Sequence, residues 1–167
     1  MTNRISVVVP VFRSKEMLPL LHQRIVAAVS PLDPNFELIL VEDDGGDGSW
    51  EAIVELFRRD PRVHGIRLAR NYGQHNALLC GIREAKGEVI VTLDDDLQNP
   101  PEEIGTLLGR LEEGFDVVYG TPEKQQHGFL RDLASRITKL ALQGAMGAQT
   151  ASKVSALGRT ATWTCWW

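Results

Sequence analysis

Short apolar runs alternate with amphipathic stretches along most of this chain, and that alternation predicts its elements. Ile5–Val11 is continuous and β-branched, and reads as a buried strand. Ser14 is placed to cap a helix that sets Leu18, Leu21, Ile25 and Ala28 on one face. Residues 36–41 form a second strand that stops abruptly at acids and glycines, after which Ser49 caps a helix presenting Ile53, Val54, Leu56 and Phe57. Residues 63–69 make a third strand, 74–86 a helix closed by Gly87, and 88–93 a fourth strand that again ends in acids. Asn99 and Pro100 take the N-cap and first-turn positions of a helix closed by Gly114, and residues 115–119 form a fifth strand. Strands and helices repeating in this order predict an α/β fold: a three-layer sandwich whose mostly parallel central sheet carries helices on both faces.

Residues 127–146 differ. Phe129, Leu130, Leu133, Ile137, Leu140 and Ala141 fall near helical spacing, with Arg131, Arg136 and Lys139 between them. Such a helix either packs on the sheet with solvated cations or lies on an anionic membrane surface.

Composition narrows the partners. With 43% apolar and 24% charged residues in 167, the chain has the make-up of one soluble globular domain. A net charge of −4 gives no electrostatic case for nucleic acid. Cys80 and Cys165 lie far apart and match no metal or redox spacing, as expected of free thiols in a reducing compartment. The opening apolar run is too short for a signal peptide, and no stretch of about 18 apolar residues occurs that would span a bilayer. A cytoplasmic location is expected, with peripheral contact to the inner face of the cytoplasmic membrane.

Two strand ends carry the chemistry. Glu42-Asp43-Asp44-Gly45-Gly46-Asp47-Gly48-Ser49 combines glycines, which let backbone approach a ligand, with carboxylates that can accept from a base N–H or a ribose hydroxyl. Asp and Gly also dominate ordinary turns, so this segment alone decides little. Thr92-Leu93-Asp94-Asp95-Asp96-Leu97-Gln98 is more pointed, because three successive acids at the end of a buried strand repel one another unless a cation or donor offsets them. Strand alternation brings Asp94 and Asp96 to one side, and Mg²⁺ or Mn²⁺ is held by such carboxylates together with substrate phosphates. Between the two lies Arg70-Asn71-Tyr72-Gly73-Gln74-His75-Asn76-Ala77, a source of donors for a sugar or diphosphate. His75 by itself reads as a surface or structural histidine. No zinc constellation, Walker A loop or Ser–His–acid arrangement is present.

Together these motifs resemble family 2 glycosyltransferases of the GT-A fold, specifically the polyprenyl-phosphate sugar transferases related to dolichol-phosphate mannosyltransferase. The resemblance runs from Ile5 to about Ala156, a domain of residues 1–156. It is carried by Val8-Val9-Pro10-Val11-Phe12, Glu42-Asp43-Asp44-Gly45, Arg70-Asn71-Tyr72-Gly73 and Leu93-Asp94-Asp95-Asp96-Leu97-Gln98-Asn99-Pro100-Pro101.

It implies that Pro10 and Phe12 line a nucleotide pocket, that Asp43 or Asp44 binds base or ribose, and that Asn71, Asp94 and Asp95 contact a UDP- or GDP-linked sugar. It implies further that Asp96 and Gln98 help hold the metal on the diphosphate, so that Asp94 and Asp96 are the catalytic acids. The acceptor would be a lipid phosphate, met by Lys124, Arg131 and Arg136, and the sugar would transfer with inversion.

Relatives commonly place an Arg after the Gly that ends the fifth strand. Here Gly120 is followed by Thr121 and Pro122, and Lys124 is the nearest cation. After Val154-Ser155-Ala156 the chain turns into a Trp-rich stretch, residues 157–167, unlike the preceding domain. That stretch is expected to mark a truncated or frameshifted reading frame, or else an aromatic tail that packs on the domain. Two other classes compete with an active transferase. One is a catalytically incomplete remnant that binds nucleotide-sugar without turnover. The other is a receiver-like signalling domain, which the glycines after Asp44 and the prolines after Asp96 disfavour.

Overall fold

The computed structural model describes residues 5–120 and the backbone of 161–164. The expectations placed on Lys124, Arg131, Arg136, the amphipathic stretch 127–146 and the Trp-rich residues flanking 161–164 lie outside the described residues.

The elements follow one another as β1 (Ile5–Val11), α1 (Leu18–Val29), β2 (Glu37–Glu42), α2 (Ser49–Arg59), β3 (Val63–Arg67), α3 (Gln74–Glu84), β4 (Val89–Thr92), a 3-10 turn (Pro101–Glu103), α4 (Ile104–Leu111), β5 (Val117–Tyr119) and β6 (Ala161–Thr164). One sheet takes them in the order β3-β2-β1-β4-β6-β5. β1 to β4 are parallel, and β6 runs antiparallel between β4 and β5. β1, β2 and β4 are buried along their whole length, as the continuous apolar runs require of strands covered on both faces.

Alternation along the strands divides the core in two. Val7, Val9 and Val11 of β1 and Leu38 and Leu40 of β2 face Leu18, Leu21, Ile25 and Val29 of α1, Ile53 and Leu56 of α2, and Ile104 of α4. Val8, Ile39, Val41 and Ile90 face α3 through Ala77. Each fully buried aliphatic side chain contributes about 1.5–3 kcal/mol. Gly81 lets α3 lie flat on that second face, since a Cβ there would come within 2.4 Å of Val8 Cγ1 and 3.0 Å of Val41 Cγ2.

Several helix starts differ from expectation for one reason: polar side chains expected at caps are used between loops. α1 begins at Leu18 with Met17 as its N-cap and no side-chain cap, while the Ser14 hydroxyl donates to Asp95. Val29 is buried on α1 as well, with Ala28 partly buried against the same core. Gly48 (φ 92°) is the N-cap of α2, and Asp47 Oδ1 accepts from both the N–H and the hydroxyl of Ser49. Pro100 is extended, and the helix expected at 99–100 opens one turn later through the 3-10 segment. The Asn99 amide instead donates to Asp94 at 3.4 Å. On α2, Phe57 is exposed rather than core-facing. β6 was not foreseen; its Ala-Thr-Trp-Thr sequence suits a strand, but four residues give too little periodicity to announce one.

Candidate nucleotide-sugar site

The loops leaving the carboxyl ends of β1, β2, β3 and β4 are knitted together at one edge of the sheet. From β1 the strand order runs outward through β2 and β3 on one side and through β4 on the other, so it reverses between β1 and β4. Ligands of open α/β sheets bind in the crevice at such a reversal.

The turn after β2 is built from acids with defined partners. Asp43 is 2% exposed, and its two carboxylate oxygens accept from the backbone N–H groups of Tyr72 (2.7 Å) and Gly73 (2.8 Å). Gly73 sits at φ 88°, a conformation that favours glycine, and also lies 3.1 Å from Asn71 Oδ1. Asp43, expected at the base or ribose, therefore braces the loop after β3 with both oxygens. Its neighbour Asp44 is exposed at φ 53°. Glu42 Oε1 accepts from Gly45 N–H at 2.7 Å, whereas its buried Oε2 has no hydrogen-bond partner among the described residues and lies 3.5 Å from Arg67 Nε. A Cβ on Gly45 would lie 2.8 Å from Arg13 N, so the turns after β1 and β2 touch there.

The three acids after β4 have three destinations. Asp94 is half-buried and accepts from Gln74 Nε2 at 2.6 Å and from Asn99. Burial, and then the charges of Asp96 and Asp95, hold its carboxyl above the usual carboxylate range despite those bonds. Asp95 accepts from Phe12 N–H at 3.0 Å and from the Ser14 hydroxyl at 2.5 Å. Asp96 is exposed and accepts from Gln98 N–H at 3.0 Å. Among the described residues no three His, Cys, Asp or Glu side chains gather closely enough to hold a metal unaided. The donors are hard carboxylate oxygens in local negative excess. They fit a Mg²⁺- or Mn²⁺-like ion whose remaining ligands are water and substrate phosphate.

Pro10 is buried within β1, and Phe12 stands at the rim, 43% exposed, with the Arg13 guanidinium 5.1 Å from its ring centroid. Tyr72 stands beside the Asp43 brace, with the Arg70 guanidinium 4.8 Å from its ring. Sequence reasoning missed Ser14 as a partner of Asp95 and Gln74 as the partner of Asp94. A polar residue two positions beyond Phe12 and another opening a helix at a strand end were visible signals, but nothing local shows which loop they face.

A doubly wound sheet with an acid-lined crevice at its switch point defines an α/β domain of the kind that binds ligands at that crevice, and comparison with known proteins gives the family. The model of glycosyl transferase family 2 matches residues 6–157. This chain belongs to that family. It is 41% identical over 146 residues to undecaprenyl-phosphate 4-deoxy-4-formamido-L-arabinose transferases of Proteus mirabilis and Photorhabdus laumondii. Those matches cover 87% of this chain and 45% of each relative, so the chain spans less than half the length of the curated relatives it matches.

Among solved structures, a mannosyltransferase from Pyrobaculum calidifontis in complex with GDP-Man and Mn²⁺ superposes with a TM-score of 0.64 at 20% identity, covering 74% of this chain and 36% of that one. Glucosyl-3-phosphoglycerate synthase from Mycobacterium tuberculosis, in complex with Mn²⁺, UDP and glucosyl-3-phosphoglycerate, gives 0.64 at 19%, covering 97% and 57%. The fold is GT-A. No helix among the described residues is long and apolar enough to cross a membrane.

Proposed function

We propose that this chain forms the donor-binding part of an inverting glycosyltransferase that moves a sugar from a UDP- or GDP-linked donor to a polyprenyl phosphate. The observation that carries the reading is the acid triplet at the switch point, with Asp94 buried enough, and crowded enough by charge, to hold its carboxyl above the ordinary range. A site that disfavours its own negative charge is one in which a cation is welcome. Membership of family 2 and the names of the relatives support the class of donor and acceptor.

In this reading Pro10 and Phe12 line the nucleotide pocket, and Asp43 and Asp44 flank base and ribose. Asn71 and Asp94 contact the nucleotide-sugar, and Asp96 and Gln98 hold Mg²⁺ or Mn²⁺. When bound, the ion supplies Lewis-acid stabilisation of charge on the leaving diphosphate. The acceptor's phosphate oxygen attacks the anomeric carbon as the bond to the diphosphate breaks, releasing the nucleoside diphosphate. A phosphate is ionised at neutral pH, so the attack needs no general base. Lys124, Arg131 and Arg136 are proposed to meet the acceptor phosphate, which places the working protein against a membrane face.

Calorimetric titration with UDP-glucose and GDP-mannose, with and without Mn²⁺, tests this. Binding that requires Mn²⁺ and is lost in Asp96→Ala is the expected result; metal-independent binding unaffected by Asp96→Ala would remove the metal site. Binding without transfer to a polyprenyl phosphate would restrict the function to donor capture.

A further inference from the structure

We propose that Asp95 is a positioning residue, neither a metal ligand nor a nucleotide contact: its Oδ2 atom holds the loop 12–14 in the shape that presents the Phe12 ring to the donor crevice. This rests on the donor-site reading above.

The ladder between β1 and β4 shows why such a device is needed. Pairing ends at Val8 and Thr92, after which Val8 O accepts from Leu93 N–H at 3.1 Å. The next residue facing the same edge of β1 is Pro10, which has no N–H to offer. The one after that is Phe12, and β4 no longer lies opposite it. Asp95 Oδ2 takes the Phe12 N–H at 3.0 Å, so a side chain continues the ladder where the strand has ended. The same oxygen takes the Ser14 hydroxyl at 2.5 Å.

Between these two anchored residues lies Arg13, at φ 56°. A left-handed conformation is costly for a non-glycine residue and persists only where its surroundings impose it. Within the loop the Ser14 hydroxyl also lies 3.1 Å from Phe12 O, and further restraints come from the turn after β2. Gly45 O accepts from Arg13 Nε at 3.3 Å, Ser49 Oγ from Ser14 N–H at 3.1 Å, and Asp47 Oδ2 from Lys15 N–H at 3.1 Å. Asp95 supplies the tether from the β4 side, across the crevice itself. Phe12 is too exposed for packing to fix its ring, so its direction depends on the backbone that Asp95 holds. Asp94 and Asp96, by contrast, bond to Gln74, Asn99 and Gln98 and reach nothing on the loop after β1.

Because both bonds land on one oxygen, an asparagine can keep them while losing the charge, and this separates positioning from ligation. The test is the affinity of the whole chain for UDP and GDP in MnCl₂, the Mn²⁺ concentration at half-saturation, and hydrogen exchange of the amides of residues 12–15. Wild type, Asp95→Asn, Asp95→Ala and Asp96→Ala are compared. Asp95→Asn stays within about threefold of wild type, whereas Asp95→Ala weakens nucleotide binding about tenfold, a change of ~1.4 kcal/mol. Asp95→Ala also accelerates exchange at Phe12 and leaves the Mn²⁺ half-saturation unchanged, while Asp96→Ala raises it.

Equal losses in Asp95→Asn and Asp95→Ala, or a raised Mn²⁺ requirement in Asp95→Asn, overturn the proposal. If wild type binds neither nucleotide, the donor reading falls, and the exchange data alone decide whether Asp95 holds the loop. Should Asp95→Ala fail to fold, Ser14→Ala removes one of the two bonds and gives a smaller change in the same direction; no change there also counts against the proposal.

Discussion

Among the described residues three non-glycines take a positive φ: Arg13, Asp44 and Leu97. Each lies in a loop at the carboxyl end of the sheet. Strain concentrated at one edge is a mark of a functional site, because local cost is retained there for shape. Asp44 makes the point measurable. Asp44→Gly removes the strain and raises stability by about 1 kcal/mol in urea unfolding, while Asp44→Ala gives no such gain. Loss of nucleotide affinity in the stabilised Gly variant is expected if its carboxylate reaches the ribose.

A second polar cluster lies at the opposite end of the sheet. Asp60 accepts from Arg62 Nε and Nη2 at 2.9 and 2.8 Å and pairs with His22 at 2.9 Å. The hydrogen bonds from Arg62 hold its carboxyl far below its ordinary value of 3.8, and they outweigh burial, which pushes the other way. A depressed native value means that this stability is fully present above the unfolded value and is lost as pH falls toward the native one. Asp60→Asn should therefore cost about 1.5 kcal/mol at pH 7, with the gap to wild type narrowing as pH falls below about 5 and still partly open at about pH 2, where the native carboxyl stays ionised.

At the scale of elements, α3 couples packing to chemistry. Its first residue, Gln74, bonds Asp94, and one turn from its end Gly81 sits against Val8 and Val41. Gly81→Ala places a methyl 2.4 Å from Val8 Cγ1 and must lift the helix. It is expected to destabilise by about 1–3 kcal/mol and to weaken nucleotide binding although it lies far from the crevice. A stability loss with unchanged affinity would mean that Gln74 tracks Asp94 independently of how α3 is seated. The order of strands and helices was legible in periodicity, because each helix buries one stripe and each central strand is built around a continuous apolar run. The helix starts were less so. Ser14, Ser49 and Asn99 look like caps in sequence, yet Ser14 and Asn99 bond to the acid triplet, and Ser49 supports the loop after β1.

For the molecule as a whole, the described part of the site is a set of loops held by one another. Ligands that bridge them should stabilise the fold as a unit. With Mn²⁺ present, UDP or GDP at a hundred times its dissociation constant is expected to add about 2.7 kcal/mol to unfolding, read as a concentration-dependent rise in Tm. An unshifted Tm alongside calorimetric binding would indicate that nucleotide also binds the unfolded chain.

The sequence by itself determined the parallel core, the acid triplet at the end of β4 and the family, since these depend on apolar periodicity and on motifs contiguous in the chain. Only the tertiary structure decided that Asp43 clamps Tyr72 and Gly73, that Gln74 serves Asp94, and that Asp95 completes the edge of β1. Those bonds join residues 20 to 83 positions apart. Their partners are set by strand order and register, which no local pattern encodes.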